Sequence, residues 1–268
     1  MNDTFNFARF RKYYASDFRN TLNNVWLTVL ILSFAGIIAY LFCGLMSYSF
    51  YGHWEPYGLQ GRVMVFLLVF YIMLMTLPSK AYGYFTDKRQ GEFFSMIPAS
   101  ALEKTLSMVI NLVVIAPIVY LVIALSADAL ICAVDPRSDG VSIVGFVSGL
   151  NSDIKDEPGL FARGPEFMVT STIGFVESII SWVLEFLLGA LYFKKNKIGK
   201  TILMLIVFNM VTSAAFIPLA INFGDGMLNT IDNSEKYNVV LWICLAINAI
   251  VDIALLYWTY YRVRNVKR

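Results

Sequence analysis

Three acids and a serine hold the most obvious capacity for chemistry in a chain dominated by apolar residues. Glu177, Ser181 and Glu185 recur at i, i+4 and i+8, so on a helix they fall within about 80° of one another and make one face polar. Asp252 lies in a separate apolar stretch. At 1.5 Å per residue, Glu185 and Asp252 each sit about 12 Å from the ends of their stretches, so they share a depth. A charge at the middle of a bilayer costs about 2.5–3.5 kcal/mol or more, so these groups are expected to face a bundle interior or water. The sequence puts no Lys or Arg at comparable depth. The acids must then be protonated, hydrated, cation-bound or hydrogen-bonded, with Asn111, Asn209, Thr212, Ser213 and Asn248 as available partners. Two uses fit: a polar path for a proton or cation, or interhelical hydrogen bonding between neutral acids. Asp128 lies nearer an end, where interfacial water solvates it.

The elements that must position these groups are long apolar stretches. They run Val25–Met46, Val63–Ser79, Leu106–Ala127, Phe167–Phe193, Thr201–Phe223 and Tyr237–Tyr260. Each is close to the ~20 residues needed to cross a hydrocarbon core of ~30 Å. The basic residues between them alternate. Sixteen of the 21 Lys and Arg fall in the N-terminal tail, the loops after the second and fourth stretches, and the C-terminal tail; Arg62, Arg137, Lys155, Arg163 and Lys236 fall on the other side. By the positive-inside rule this predicts six spans with both termini cytoplasmic. With 58% hydrophobic residues, the chain reads as one all-α, polytopic membrane domain over residues 1–268 rather than a soluble fold. The first stretch follows a charged tail and exceeds the ~7–15 residues of a signal-peptide core, so it is expected to be a retained anchor.

Ahead of the first span, Phe7, Phe10, Tyr14 and Phe18 recur at helical spacing with Arg9, Lys12 and Arg19 on other faces. This predicts an amphipathic helix, lying in the inner membrane interface or packed on the protein's own loops. On the outer side, Tyr51, Trp54 and Tyr57 have the composition of an interfacial belt. The apolar run Val141–Leu150 is too short to cross. Its Gly145-x-x-x-Gly149 spacing matches a helix-pairing pattern outside a full span. Pro117 and Pro218 are expected to kink the third and fifth spans. Cys43, Cys132 and Cys244 are isolated and read as packing residues, and His53 is the single histidine, which argues against histidine-based metal ligation.

The loop after the second span is the most specific segment. Tyr84–Ile97 mixes Asp87, Lys88, Arg89 and Glu92 with Phe85, Phe93, Phe94, Met96 and Ile97. Gly91 interrupts it and Pro98 ends it. Ser100 and Glu103 then form a capping-box pattern that starts the next helix. Such a piece has an apolar side for the membrane domain and a charged side for the cytoplasm.

This order, Lys88, Arg89 and Gly91, then Phe94, Ile97, Pro98 and Ser100 ahead of a span, resembles the type 2 ABC transporter permease family. The six-span layout and the N-terminal amphipathic helix are also similar to that family. The resemblance implies a coupling segment, Phe85–Ile97, that docks on a separate ATPase subunit. It also implies a homodimer, or a heterodimer with a second permease, and ATP with Mg on the partner alone. The larger outer loop follows the third span here, whereas the family often carries its insertion between the fifth and sixth.

The chain has no nucleotide site of its own. Ile198-Gly199-Lys200-Thr201 imitates the end of a phosphate-binding loop, but the first glycine of that motif would fall on Lys194. HExxH, GxSxG and paired His/Asp patterns are absent, so an enzyme is not expected. Topology accounts for the basic residues, and nucleic-acid binding has no support. The expected role is the permease subunit of an exporter in a prokaryotic inner membrane. A proton- or cation-coupled carrier using the buried acids, and a non-transporting scaffold, are the alternatives.

Overall fold

A computed structural model describes residues 5–87, 91, 94, 96–135, 140–147, 164–211 and 234–265, with the side chains of 164–168 and 234–241 excepted. Among the described residues the structure is helical. The long elements are α1 (Phe7–Tyr51), α2 (Leu59–Tyr82), α3 (Ala101–Val134), α4 (Gly164–Tyr192), α5 (residues 197–211) and α6 (Ser234–Arg264). Among the described residues five helices are long and apolar enough to cross a membrane: those of α1, α2, α3, α4 and α6. The expected fifth span, 201–223, is helical as far as residue 211, and the rest of it lies outside the described residues, as does Pro218.

The N-terminal segment does not form a helix of its own. It supplies the first turns of α1, which runs 45 residues without interruption, about 67 Å at 1.5 Å per residue. Nothing between Thr21 and Val25 breaks a helix, so the amphipathic part and the span propagate as one. The buried side of α1 is Tyr13, Asp17, Thr21, Val25, Val29 and Ser33, a row at strict i+4 spacing. Phe10, Tyr14 and Phe18 stack beside it with centroids 5.8 and 6.1 Å apart.

Helix α2 is the centre of the bundle. Phe70, Met73, Leu74, Leu77 and Ala81 are buried at i, i+3, i+4, i+7 and i+11, the apolar stripe of a helix covered by neighbours. Val25 and Val29 of α1, Met108, Leu112 and Tyr120 of α3, and Val183, Leu187 and Leu191 of α4 close around it. Helix α4 in turn packs along α6, and α5 folds back on α4. At Gly189 an added Cβ would run into the Thr201 side chain, so this crossing calls for glycine.

Helix α3 carries a π-helical segment, Ile110–Ile115. Its cause is Pro117, which has no N–H and whose ring crowds the preceding turn. Widening the turn relieves the crowding, and the Ala116 amide reaches back five residues to the Asn111 carbonyl. The expected kink at Pro117 is therefore expressed as a local change of helical pitch.

Candidate functional site

At one end of the bundle the basic residues gather: Arg9 of α1, Lys104 of α3, Lys197 of α5 and Arg262 of α6. Here the chain leaves α2 through a 3₁₀ turn, Gly83–Thr86, and reaches α3 by way of Gly91, Phe94 and Met96, all helical. The segment is anchored from within. Phe85 and Phe94 are 6% and 3% exposed and meet edge to face at 5.3 Å. Lys104 is buried beneath them. Its ammonium donates to the Phe94 carbonyl at 2.7 Å and lies 4.6 Å from the centre of the Phe94 ring, a hydrogen bond and a cation–π contact from one group. The Gly91 amide donates to the Asp87 carbonyl at 2.8 Å, and a Cβ on Gly91 would stand 2.6 Å from the Phe85 carbonyl oxygen. That backbone approach is the reason for glycine here. Lys197 donates to the Gly83 carbonyl. Burial pulls its ammonium below the usual lysine range, opposed by the nearby charge of Asp87.

The anchoring separates two groups of residues that the sequence placed together. Phe94 belongs to the interior and presents no face to a partner. Met96 at 72% and Ile97 at 36% exposure point outward with Pro98. Lys88 and Arg89 lie outside the described residues.

Helix α3 begins in a complete capping box. The Ser100 hydroxyl accepts from the Glu103 amide at 3.3 Å, and the Glu103 carboxylate accepts from the Ser100 amide at 2.9 Å. Glu103 does more than cap. Its fully buried carboxylate also accepts from the Asn6 amide at 2.9 Å and from the Arg9 guanidinium at 2.7–3.1 Å. Asn6 itself caps α1 through its side chain. One carboxylate therefore joins the starts of two helices.

The acids of α4 and α6 come together within the bundle. The Ser181 hydroxyl donates to the Asp252 carboxylate at 2.7 Å, tying α4 to α6, and Glu177 and Glu185 lie close enough to Asp252 to feel its charge. Among the described residues no hydrogen bond or ion pair joins the Glu177 or Glu185 carboxylate to a neighbour. Of the polar residues suggested as their partners, Asn209 donates to the Leu205 carbonyl of its own helix, Asn248 is exposed, and Thr212 and Ser213 lie outside the described residues.

Asn111 belongs to a cluster that the sequence reading missed. Asp17 of α1 is buried and accepts from Tyr82 at 2.9 Å, Ser107 at 2.5 Å and Asn111 at 3.2 Å, all on one oxygen. Asn111 donates also to the Tyr82 hydroxyl, and Thr21 donates to it in turn. Asp17 looks like one more charge of an amphipathic tail. The signal that could have found it is its place in the i+4 row that continues into Val25 and Val29.

At the far end of the bundle Arg62 and Asp128 form a buried ion pair at 2.8 Å, with side chains 2% and 7% exposed. Arg62 also donates to the Cys132 sulfur and the Val141 carbonyl, and Asp128 accepts from the Ile143 amide at 2.7 Å. Arg62 is therefore not a loop cation and Asp128 is not an acid solvated at the interface. Each has been taken out of water against the other. Two of the three belt residues pack at this end while Tyr51 stays exposed: Trp54 donates to Asp135 at 3.0 Å, as Tyr40 does, and Tyr57 donates to the Gly36 carbonyl. The short helical turn at residues 143–147 covers this end, and Gly149 of the pairing pattern lies outside the described residues.

Comparison with protein-family models, with curated proteins and with solved structures gives no match for this chain.

Proposed function

We propose that this chain is the membrane-spanning permease subunit of an ABC-type exporter of the type 2 kind. One observation carries the reading: between α2 and α3, Phe85, Gly91 and Phe94 are locked onto the helix ends while Met96 and Ile97 stand out from them. A segment anchored in this way transmits a push on its outer residues directly to α2 and α3. The basic end is cytoplasmic, six spans cross the inner membrane of a prokaryote, and the first turns of α1 meet the inner lipid interface. Two permease chains pair, and ATP with Mg binds only the partner ATPase, whose movement reorients the spans.

The test is gentle purification of the tagged protein from its native membrane, with identification of the chains that come with it and an ATPase assay. A nucleotide-hydrolysing subunit is expected to co-purify. Replacing Met96 and Ile97 together by Asp is expected to release it with the melting temperature unchanged, whereas Phe94→Asp buries a charge and costs the fold itself. A homogeneous protein with no ATPase activity rejects the reading.

The link from Ser181 to Asp252, with Glu177 and Glu185 near it, favours a second reading, a proton- or cation-coupled carrier. The permease tolerates Glu185→Gln. A carrier loses transport on that change and is indifferent to Met96→Asp.

A further inference from the structure

Asn248 stands at the middle of α6. In the apolar stretch Tyr237–Tyr260 it is eleven residues from one end and twelve from the other, about 17 Å from each at 1.5 Å per residue. Its side chain is exposed, and among the described residues no hydrogen bond reaches its amide. One turn nearer the basic end, Asp252 is 7% exposed and bonded to Ser181 of α4, but the cover that α4 gives it does not extend to Asn248. In a helix long and apolar enough to cross a bilayer, an amide that both donates and accepts is set against hydrocarbon, which offers it neither. The residues beside it have a pattern. Cys244, Asn248, Val251 and Leu255 recur at four, three and four residues, the spacing of a seam between two packed helices. Asn248 holds the kind of position at which a lone asparagine fixes register and partner number. Cys244 and Val251 are exposed with it, and Leu255 is half-buried. Further along the row Arg262 donates to the Leu191 carbonyl of α4, so the open part is Cys244–Val251.

We propose that this row is where two copies of the chain meet, α6 against α6. Copies in one membrane share an orientation, so the two helices run parallel about a twofold axis along the bilayer normal, and each residue near the axis faces its own counterpart. A carboxamide is complementary to itself: each Asn248 donates from its NH₂ to the oxygen of the other and accepts from the other's NH₂. Lipid head groups lie too far from this depth to reach it. A foreign chain would have to bring a matching amide to the same level, whereas a second copy brings one there by symmetry. Small Cys244 one turn away lets the backbones approach, as at the contacts of membrane helices in general. Such a pair serves the permease reading, on which its purpose rests, while its place rests on Asn248.

The test uses the full chain in its native membrane with Cys43→Ser and Cys132→Ser, so that Cys244 is the one thiol left. Oxidation with copper phenanthroline is expected to give a disulfide-linked dimer, seen on a non-reducing gel and identified by mass. Moving the thiol with Cys244→Ser and Ala246→Cys puts it two residues on, exposed on the opposite side of the helix, and is expected to give no dimer. Asn248→Leu is expected to cut the yield from Cys244 by roughly five- to tenfold, the effect of losing two interhelical hydrogen bonds, and Asn248→Gln to restore part of it. Because no hydrogen bond within the described residues involves Asn248, detergent-solubilised monomers of both variants should melt with the parent, which separates a lost contact from a lost fold. No dimer, an equal yield from Ala246→Cys, a yield unmoved by Asn248→Leu, or a disulfide to a different chain overturns the pairing. The same membranes are scored for a co-purifying ATPase. An ATPase without the Cys244 dimer overturns the seam and leaves the permease reading, and a Cys244 dimer without an ATPase does the reverse.

Discussion

Arg9 and Glu103 are 94 residues apart in sequence and meet through two guanidinium nitrogens at 2.7–3.1 Å. Their contact closes a ring of donors on one buried carboxylate, in which the starts of α1 and α3 share a cap. Ser100→Ala removes one cap bond and is expected to cost about 1 kcal/mol, the usual loss at an N-cap. Glu103→Gln is expected to cost more, because an amide has one acceptor oxygen and its NH₂ must face one of the Asn6, Ser100 or Arg9 donors. Arg9→Met leaves the capping box intact and should fall below both. Thermal unfolding of the three variants in one detergent gives the order.

Gly91→Ala is expected to loosen the segment between α2 and α3. The new methyl meets a carbonyl oxygen of the backbone rather than a side chain that can move aside, and overpacking of this kind costs about 1–3 kcal/mol. Hydrogen exchange over residues 84–97 should rise in the variant, with α1 and α4 unchanged.

Breaking the Arg62–Asp128 pair from one side leaves an uncompensated buried charge, which costs about 3–5 kcal/mol. Arg62→Met and Asp128→Leu are each expected to destabilise the fold by that order. The double variant should recover most of the loss, since no charge then remains to be solvated. Unfolding midpoints of the four proteins in a double-mutant cycle decide it.

The Ser181–Asp252 bond joins α4 to α6 in an apolar setting. Hydrogen bonds between membrane helices average about 0.6 kcal/mol, so a cycle of Ser181→Ala and Asp252→Asn is expected to show a coupling of that size. A coupling several times larger would mean that Asp252 is held ionised, with the hydroxyl as its main stabilisation.

What the sequence discloses here depends on the range of the interaction. The capping box at Ser100 and Glu103 is a contact over three residues, and spacing alone reveals it. The five described span helices follow from apolar length, which needs no partner. The glycine at 91 is legible as an interruption, while its reason, the approach of the Phe85 carbonyl, is not. The partners of Arg62, Asp128 and Asp17 lie 65–94 residues away, beyond what spacing shows. Charge alternation assigns a cation to a side of the membrane and carries no information about which acid it pairs with. The burial of Phe94 was hidden for a related reason: a motif gives the order of residues along a segment but not which of them its own anchor uses.

Helix α1 is fastened to α3 at three heights: Arg9 to Glu103 at the base, Asp17 to Ser107 and Asn111 above it, and Tyr40 to Asp135 at the far end. Two rods braced by three rungs behave as a ladder, and a ladder resists both sliding and splaying. The seam of α4 and α6 is joined differently, by Ser181 to Asp252, by Arg262 to the Leu191 carbonyl and along a long packed face. The three rungs make α1 and α3 one stiff unit from end to end.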